Sequence, residues 1–275
     1  MTASGVGALS RRRFTPALVA IALVAVAIRI AFVVLVDPSV PRIGDASAYH
    51  LLGEQLARGD GYVRPFDLVL LHRTRATAEY PPLFPAFLGV AARAGVHSVA
   101  AQRIVVAFVG AITVVLVGLL GRRVNSPLAG LVAAALAAVY PMLFVGEAIL
   151  MAEALYVPLV ALVLLFAYRA HDRPDISRFA VLGVAIGLAT LARAEGLLLG
   201  IVLVGGLCIS GLTSSAKRRV TLGAVALGVA VLVIAPWTVR NTVRFHTFVP
   251  VSNNVATLVD GANCDSTYRG TLLGL

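Results

Sequence analysis

Seven apolar runs divide the chain, at approximately 15–36, 103–120, 128–145, 150–168, 179–194, 196–212 and 220–237. A helix needs roughly 17–25 mainly apolar residues to cross the hydrocarbon core of a bilayer. Within that core only a helix or a closed barrel satisfies its own backbone. The runs therefore predict an all-α fold, a polytopic transmembrane helical bundle of about seven spans. A single water-soluble core is excluded by the balance of residues. Apolar side chains make up 59% of the 275 positions and charged ones 13%, against about 45–50% and about 25% in soluble domains.

Arg11, Arg12 and Arg13 precede the first run. That run exceeds the roughly 7–15 residues of a cleavable signal, and no small-residue cleavage site follows, so it reads as a retained anchor. With residues 1–14 cytoplasmic, the inner segments carry 11 basic residues: Arg11 to Arg13, Arg122, Arg123, Arg169, Arg173, Arg178 and Lys217 to Arg219. The short outer turns carry only Arg193. This is the bias that sets topology, and it is counted over short loops. It predicts a multi-pass protein of the cell membrane with 15–237 as the membrane domain. Outside lie a long first outer loop, 37–101, and a tail, 238–275. The moderately apolar stretch from Pro81 to Ala100 has three prolines and Arg93. It reads as an interfacial helix, because counting it as a span would put Arg122, Arg123 and Lys217 to Arg219 outside. The fifth and sixth runs meet at Arg193-Ala194-Glu195, a tight turn at a membrane face. Gly183/Gly187 and Gly196/Gly200 have the four-residue spacing that lets helices approach closely.

The net charge of +10 does not indicate nucleic acid, since the basic residues sit between apolar runs and no basic stretch is interleaved with aromatics. The partners expected are the lipid bilayer and whatever the outer loops bind. Cys208 lies in an apolar run and Cys264 in the polar tail, so they are not expected to pair. The five histidines show no metal-ligand spacing.

The chemistry-bearing residues fall at the outer boundary. Gly44-Asp45-Ala46-Ser47-Ala48-Tyr49-His50 opens an amphipathic helix that Gly59 can stop. Asp45 reads either as its N-cap or as a carboxylate at the mouth of a substrate cavity, and both can hold. In Glu79-Tyr80-Pro81-Pro82 the diproline forces Tyr80 to be extended, which leaves the acid before it unexplained. Glu147 and Glu153 flank the junction of the third and fourth runs. An acid beside a span is by default a functional candidate, although Glu147 can simply face water. Arg193 can bind a lipid phosphate or pair internally with Glu195 or Glu153. Trp237 suits the interfacial belt, and Arg240 and Arg244 suit headgroup contacts. Arg29, two turns from the outer end of the first run, reads as a snorkelling side chain.

Taken in order, these pieces resemble the GT-C class of polytopic glycosyltransferases, in the branch of protein O-mannosyltransferases and lipid A aminoarabinose transferases. The matching features are Gly44-Asp45…Tyr49…Gly59-Asp60-Gly61-Tyr62, Tyr80-Pro81-Pro82-Leu83, Gln102-Arg103 and Gly121-Arg122-Arg123. Ala152-Glu153-Ala154-Leu155, Arg193-Ala194-Glu195-Gly196 and Pro236-Trp237…Arg240-Asn241 complete the set. The resemblance implies a polyprenyl-phosphate sugar as donor and a site on the outer face. It implies Asp45, Glu79 and Glu153 as catalytic acids, and Tyr49, Tyr80, Arg193, Glu195 and Arg240 as substrate-binding residues. Asp45 would sit at the catalytic centre, and Arg193 would contact the donor phosphate. Glu79 matches an acid that helps to bind a divalent metal in the aminoarabinose transferases, but Tyr80 replaces their basic residue. Ala46 replaces the second acid usual in the mannosyltransferases, which weakens the case for a protein hydroxyl as acceptor. Relatives are longer, with further spans, so the resemblance also implies a C-terminal truncation.

Two other readings compete. A transporter would place ionisable residues and broken helices at the bilayer midplane, often in inverted repeats, whereas these charges cluster at the boundary. An inactive membrane scaffold is the second alternative.

Overall fold

The structure, a computed structural model, describes residues 3–36, 44–210 and 215–254, and in the tail residues 259, 263, 268 and 269; of residues 3–12 only the backbone is described. Cys264 and most of the tail beyond 254 lie outside the described residues. The described chain is helical, in the order α1 (Ala3–Val36), α2 (Asp45–Arg58), α3 (Pro65–Leu71), α4 (Leu83–Arg93), α5 (Val99–Val124) and α6 (Pro127–Val139). There follow α7 (Pro141–Ala148), α8 (Glu153–Asp172), α9 (Ile176–Ala192), α10 (Gly196–Ile209) and α11 (Ala216–Phe245).

Over the described residues each of the seven apolar runs is mostly helical, but not every helix has the length of a span. Four qualify by length and composition: α1 over Arg13–Val36, α5, α8 and α11. A fifth is reached if α6 and α7 together count as one, bent by 47°. The expected continuous helix over 128–145 is thus broken, and the cause is local. Pro141 opens α7, and Tyr140 before it takes an extended conformation (φ −73°, ψ 114°), as a residue preceding proline must. Helices α9 and α10 have 17 and 14 residues.

The helices nevertheless run from one end of the bundle to the other. At one end Arg123 of α5 pairs with Asp172 at the end of α8. There too Arg178 of α9 donates to the carbonyl of Arg169 (3.0 Å), Arg218 of α11 to that of Pro174 (3.1 Å), and Cys208 Sγ of α10 to that of Arg219 (3.3 Å). At the other end the start of α8 meets the α9–α10 turn through Glu153 and Arg193. Small residues permit the close crossings. A Cβ at Gly183 would come within 2.3 Å of the Ala226 carbonyl on α11, and one at Gly200 within 2.4 Å of Ile186 on α9.

Helix α4, at 11 residues, is too short to cross a bilayer. It lies instead along α2, where a Cβ on Gly53 would stand 2.8 Å from that of Leu88. Their shared apolar cluster, which includes Tyr49, Leu52, Tyr62, Tyr80, Phe84, Leu88 and Leu150, forms the floor beneath the loops at the Glu153–Arg193 end.

Arg29 does not snorkel. It is 2% exposed, and its Nε donates to Glu147 Oε2 at 2.6 Å and its Nη2 to Oε1 at 3.3 Å. Its Nη1 donates to the carbonyls of Ala138 (3.2 Å) and Ala25 (3.3 Å). Glu147 is correspondingly buried rather than facing water. Two features make room for the pair. Gly110 of α5 leaves a notch in which a Cβ would lie 2.1 Å from Glu147 Oε2. The break after α6 frees a terminal carbonyl, which has no partner within its own helix and receives one from the guanidinium.

Candidate active site

Gly44, not Asp45, caps α2. Its φ of 151° suits glycine, its carbonyl accepts the Ala48 amide at 2.9 Å, and no side chain caps the helix. Asp45 therefore sits in the first turn with its carboxylate free of the capping role. Its Oδ1 accepts the Tyr80 hydroxyl at 2.9 Å. Tyr80 is delivered there by the loop segment ahead of the diproline, which bends at Glu79 and Tyr80. That segment is anchored by Tyr62, whose hydroxyl donates to the carbonyls of Tyr80 (2.9 Å) and Pro81 (3.3 Å). The rings of Tyr49 and Tyr80 meet edge to face at 4.9 Å, and Tyr49 meets Phe84 at 5.2 Å. Burial first, and then the charge of Asp45, pushes the Tyr49 phenol well above its ordinary pKa. For Tyr80 the causes are burial and then the hydrogen bond to Asp45. Both hydroxyls remain protonated donors across the neutral range.

Opposite them stands the turn between α9 and α10. Arg193 pairs with Glu153, the first residue of α8, and donates through Nη2 to Glu195 Oε1 at 3.0 Å. The second oxygen of Glu153, Oε2, is buried with no hydrogen-bond partner among the described residues. Burial works against both charges of the Arg193–Glu195 pair. It is outweighed by their mutual bond and, at Glu195, by a backbone N–H, so Arg193 is held above its ordinary pKa and Glu195 below.

These two groups of residues enclose a cavity of about 390 Å³ lined by Asp45, Tyr49, Glu79, Tyr80, Arg193 and Glu195, together with Pro81, Ala192, Ala194, Leu198, Ser252 and Asn254. Six of the eight residues expected from sequence thus share one wall-to-wall space. Glu153 adjoins it through Arg193. Arg240 stands apart: Nη1 donates to the Thr77 carbonyl (2.6 Å), Nη2 to that of Tyr62 (2.8 Å), and its guanidinium lies 4.8 Å over the Trp237 ring. It clamps the loop that carries Tyr62 and Tyr80. Trp237 in turn donates to the Val251 carbonyl at 2.6 Å, and His50 pairs with Gln102 at 2.9 Å. Glu79 lines the cavity beside Tyr80; among the described residues no three His, Cys, Asp or Glu side chains come together in a set that could hold a metal ion.

Ser252 and Asn254 were not singled out from sequence. The segment after α11 folds back on the diproline loop, with Ser252 Oγ donating to the Glu79 carbonyl (3.1 Å) and the Asn253 amide to that of Ala78 (3.0 Å). The one available signal was the polar run Ser252-Asn253-Asn254 beyond the last apolar run, on the same side as Asp45.

The family model described as dolichyl-phosphate-mannose-protein mannosyltransferase matches residues 79–239. The chain belongs to this family. It is accordingly a multi-pass membrane protein of a glycosyltransferase family. No curated protein and no solved structure matches the chain. The family match takes in Glu79, Tyr80, Glu153, Arg193 and Glu195, but begins after Asp45 and Tyr49 and ends one residue before Arg240. The case for Asp45 therefore rests on its geometry in this member of the family.

Proposed function

We propose that the chain transfers a sugar from a polyprenyl-phosphate donor to an acceptor hydroxyl at the outer face of the cell membrane. The observation that carries this reading is the cavity itself, which sets the Asp45 carboxylate and the Arg193 guanidinium against one space at one end of a membrane bundle. A sugar on a phosphate already has a good leaving group. The acceptor hydroxyl must lose its proton as it attacks, and a carboxylate can take it as general base. With Oδ1 held by Tyr80, Oδ2 of Asp45 serves that role. The acceptor oxygen forms its bond to the anomeric carbon as the bond from that carbon to the phosphate oxygen breaks. The electron pair leaves with the lipid phosphate, whose charge Arg193 stabilises. To do so Arg193 exchanges a carboxylate partner for a phosphate oxygen. Tyr49 and Tyr80 offer ring faces and hydroxyls to the sugar, Glu153 and Glu195 tune Arg193, and Arg240 positions the Tyr62–Tyr80 loop.

Radiolabelled polyprenyl-phosphate sugars, incubated with the purified chain in lipid and a membrane extract as acceptor, test this directly. Label is expected to leave the lipid. A donor that binds without transfer would reduce the reading to a binding site, and neither binding nor transfer would remove it.

The end-to-end course of α9 and α10 supports seven crossings, the two short helices completing the count beside the four that qualify by length and the bent pair α6–α7. The short-loop arginines support an outer position for the cavity. An Arg73→Cys variant, in a background with Cys208 and Cys264 changed to serine, should react with an impermeant thiol reagent on intact cells. Arg73 is exposed in the loop at the cavity end. Labelling only after permeabilisation would reverse the orientation.

A further inference from the structure

At the end of the bundle remote from the cavity, a crevice of about 310 Å³ opens between α5 and α8, lined by Leu119, Arg122, Arg123, Leu165 and Arg169. Basic residues are common at one face of a membrane protein for topological reasons alone. These three are solvent-exposed, but each guanidinium is seated over an aromatic ring. The Arg122 guanidinium lies 4.7 Å over the Phe14 ring, that of Arg123 5.1 Å over Tyr168, and that of Arg169 5.5 Å over Phe166. Phe14 is 1% exposed, so Arg122 rests on a fixed surface. Such contacts hold a guanidinium in place while leaving its N–H donors free for an anion. Among the described residues the only carboxylate engaged with the three is Asp172, on Arg123. Among the described residues, Arg122 and Arg169 are left without a carboxylate, and no acid lines the crevice they share.

The apolar part of the lining says what kind of anion fits. Leu119 precedes Arg122 by three residues and Leu165 precedes Arg169 by four. Each leucine therefore lies one helical turn toward the bundle interior on the same face as its arginine. The crevice thus presents fixed cations at the membrane surface and continues as an apolar groove into the hydrocarbon. A soluble anion would use only the first half.

We propose that this crevice is a binding site for the phosphodiester headgroup of an anionic phospholipid, whose acyl chain runs along Leu119 and Leu165. It is separate from the candidate active site and from its donor.

The test is native mass spectrometry of the full chain released from detergent with phosphatidylglycerol or phosphatidylcholine titrated in. Two uncompensated arginines, at about 1 kcal/mol each near a membrane surface, give about a 30-fold preference for phosphatidylglycerol, saturating at one tightly retained molecule per chain. An Arg122→Gln/Arg169→Gln variant should lose that preference. Should the variant fail to accumulate, a photoactivatable phosphatidylglycerol on the wild-type chain should crosslink to the segments 119–123 and 165–169. Equal retention of the two lipids, adducts that do not saturate, crosslinks confined to other helices, or displacement by millimolar inorganic phosphate would each overturn the site.

Discussion

Asp45→Asn should lower the rate of sugar transfer by about 10²–10⁴-fold, the usual contribution of a positioned general base, while donor binding and membrane yield stay at wild-type levels. The expectation is specific because the substitution isolates one property. Asparagine keeps the shape of the side chain, and its amide oxygen can still accept the Tyr80 hydroxyl now bonded to Asp45 Oδ1. What it lacks is an oxygen able to take a proton. Stability should not fall, since the helix is capped by Gly44 and no side chain contributes. Had Asp45 served only as the N-cap, asparagine would be a good replacement and transfer would survive. Tyr80→Phe gives the comparison. It removes one hydrogen bond at the edge of an open cavity, worth about 0.5–1.5 kcal/mol, and should slow transfer by about tenfold or less. Single-turnover transfer of labelled donor, measured beside equilibrium donor binding, separates the two effects. Full transfer by the asparagine variant would remove Asp45 as the base.

The contrast between cap and base shows where sequence reasoning reached its limit. A helix start is uncertain by one or two residues, and at Gly44-Asp45 that single step decides whether the carboxylate is spent on the backbone or faces a cavity. The apolar runs were legible because bilayer thickness imposes a length that hydropathy can count. The Arg193-Ala194-Glu195 turn was legible because two charges could not sit mid-span. The break at Tyr140-Pro141 was written in the proline, yet the apolar run continues unbroken through it and conceals the bend. Arg240 looked like a headgroup contact from its place beside Trp237. Its carbonyl partners at Tyr62 and Thr77 lie more than 160 residues earlier, and no local pattern announces them. Ser252 and Asn254 reach the cavity only because the segment after α11 turns back on the diproline loop, a tertiary event.

The pairing of Arg29 with Glu147 was hidden for the same reason, the partners standing 118 positions apart in sequence, and it carries the largest expected effect on stability. Glu147→Leu should destabilise the protein by about 3–5 kcal/mol, the cost of leaving one member of a buried ion pair uncompensated. Arg29 would then keep only the carbonyls of Ala138 and Ala25 as partners. The double variant Arg29→Leu/Glu147→Leu removes both charges from the apolar interior, and such exchanges are often neutral or stabilising. It should recover most of the loss. The loss should also be felt at the cavity. Glu147 lies in the last turn of α7, and the chain then passes through Leu150, a fully buried non-glycine residue held at a φ of 58°, before Glu153 begins α8. A strained residue of this kind persists only where its surroundings over-determine it. Here the ion pair pins one side and the Tyr49–Tyr80 cluster the other. Loosening the pair should let the turn relax and withdraw Glu153 from Arg193, so residual Glu147→Leu protein should transfer sugar poorly even when folded. Unfolding in mixed detergent, followed for the two single variants and the double, checks the stability claim. Single effects that simply add in the double would mean that the pair is not coupled, and that the notch at Gly110 rather than the charges holds α7 in place.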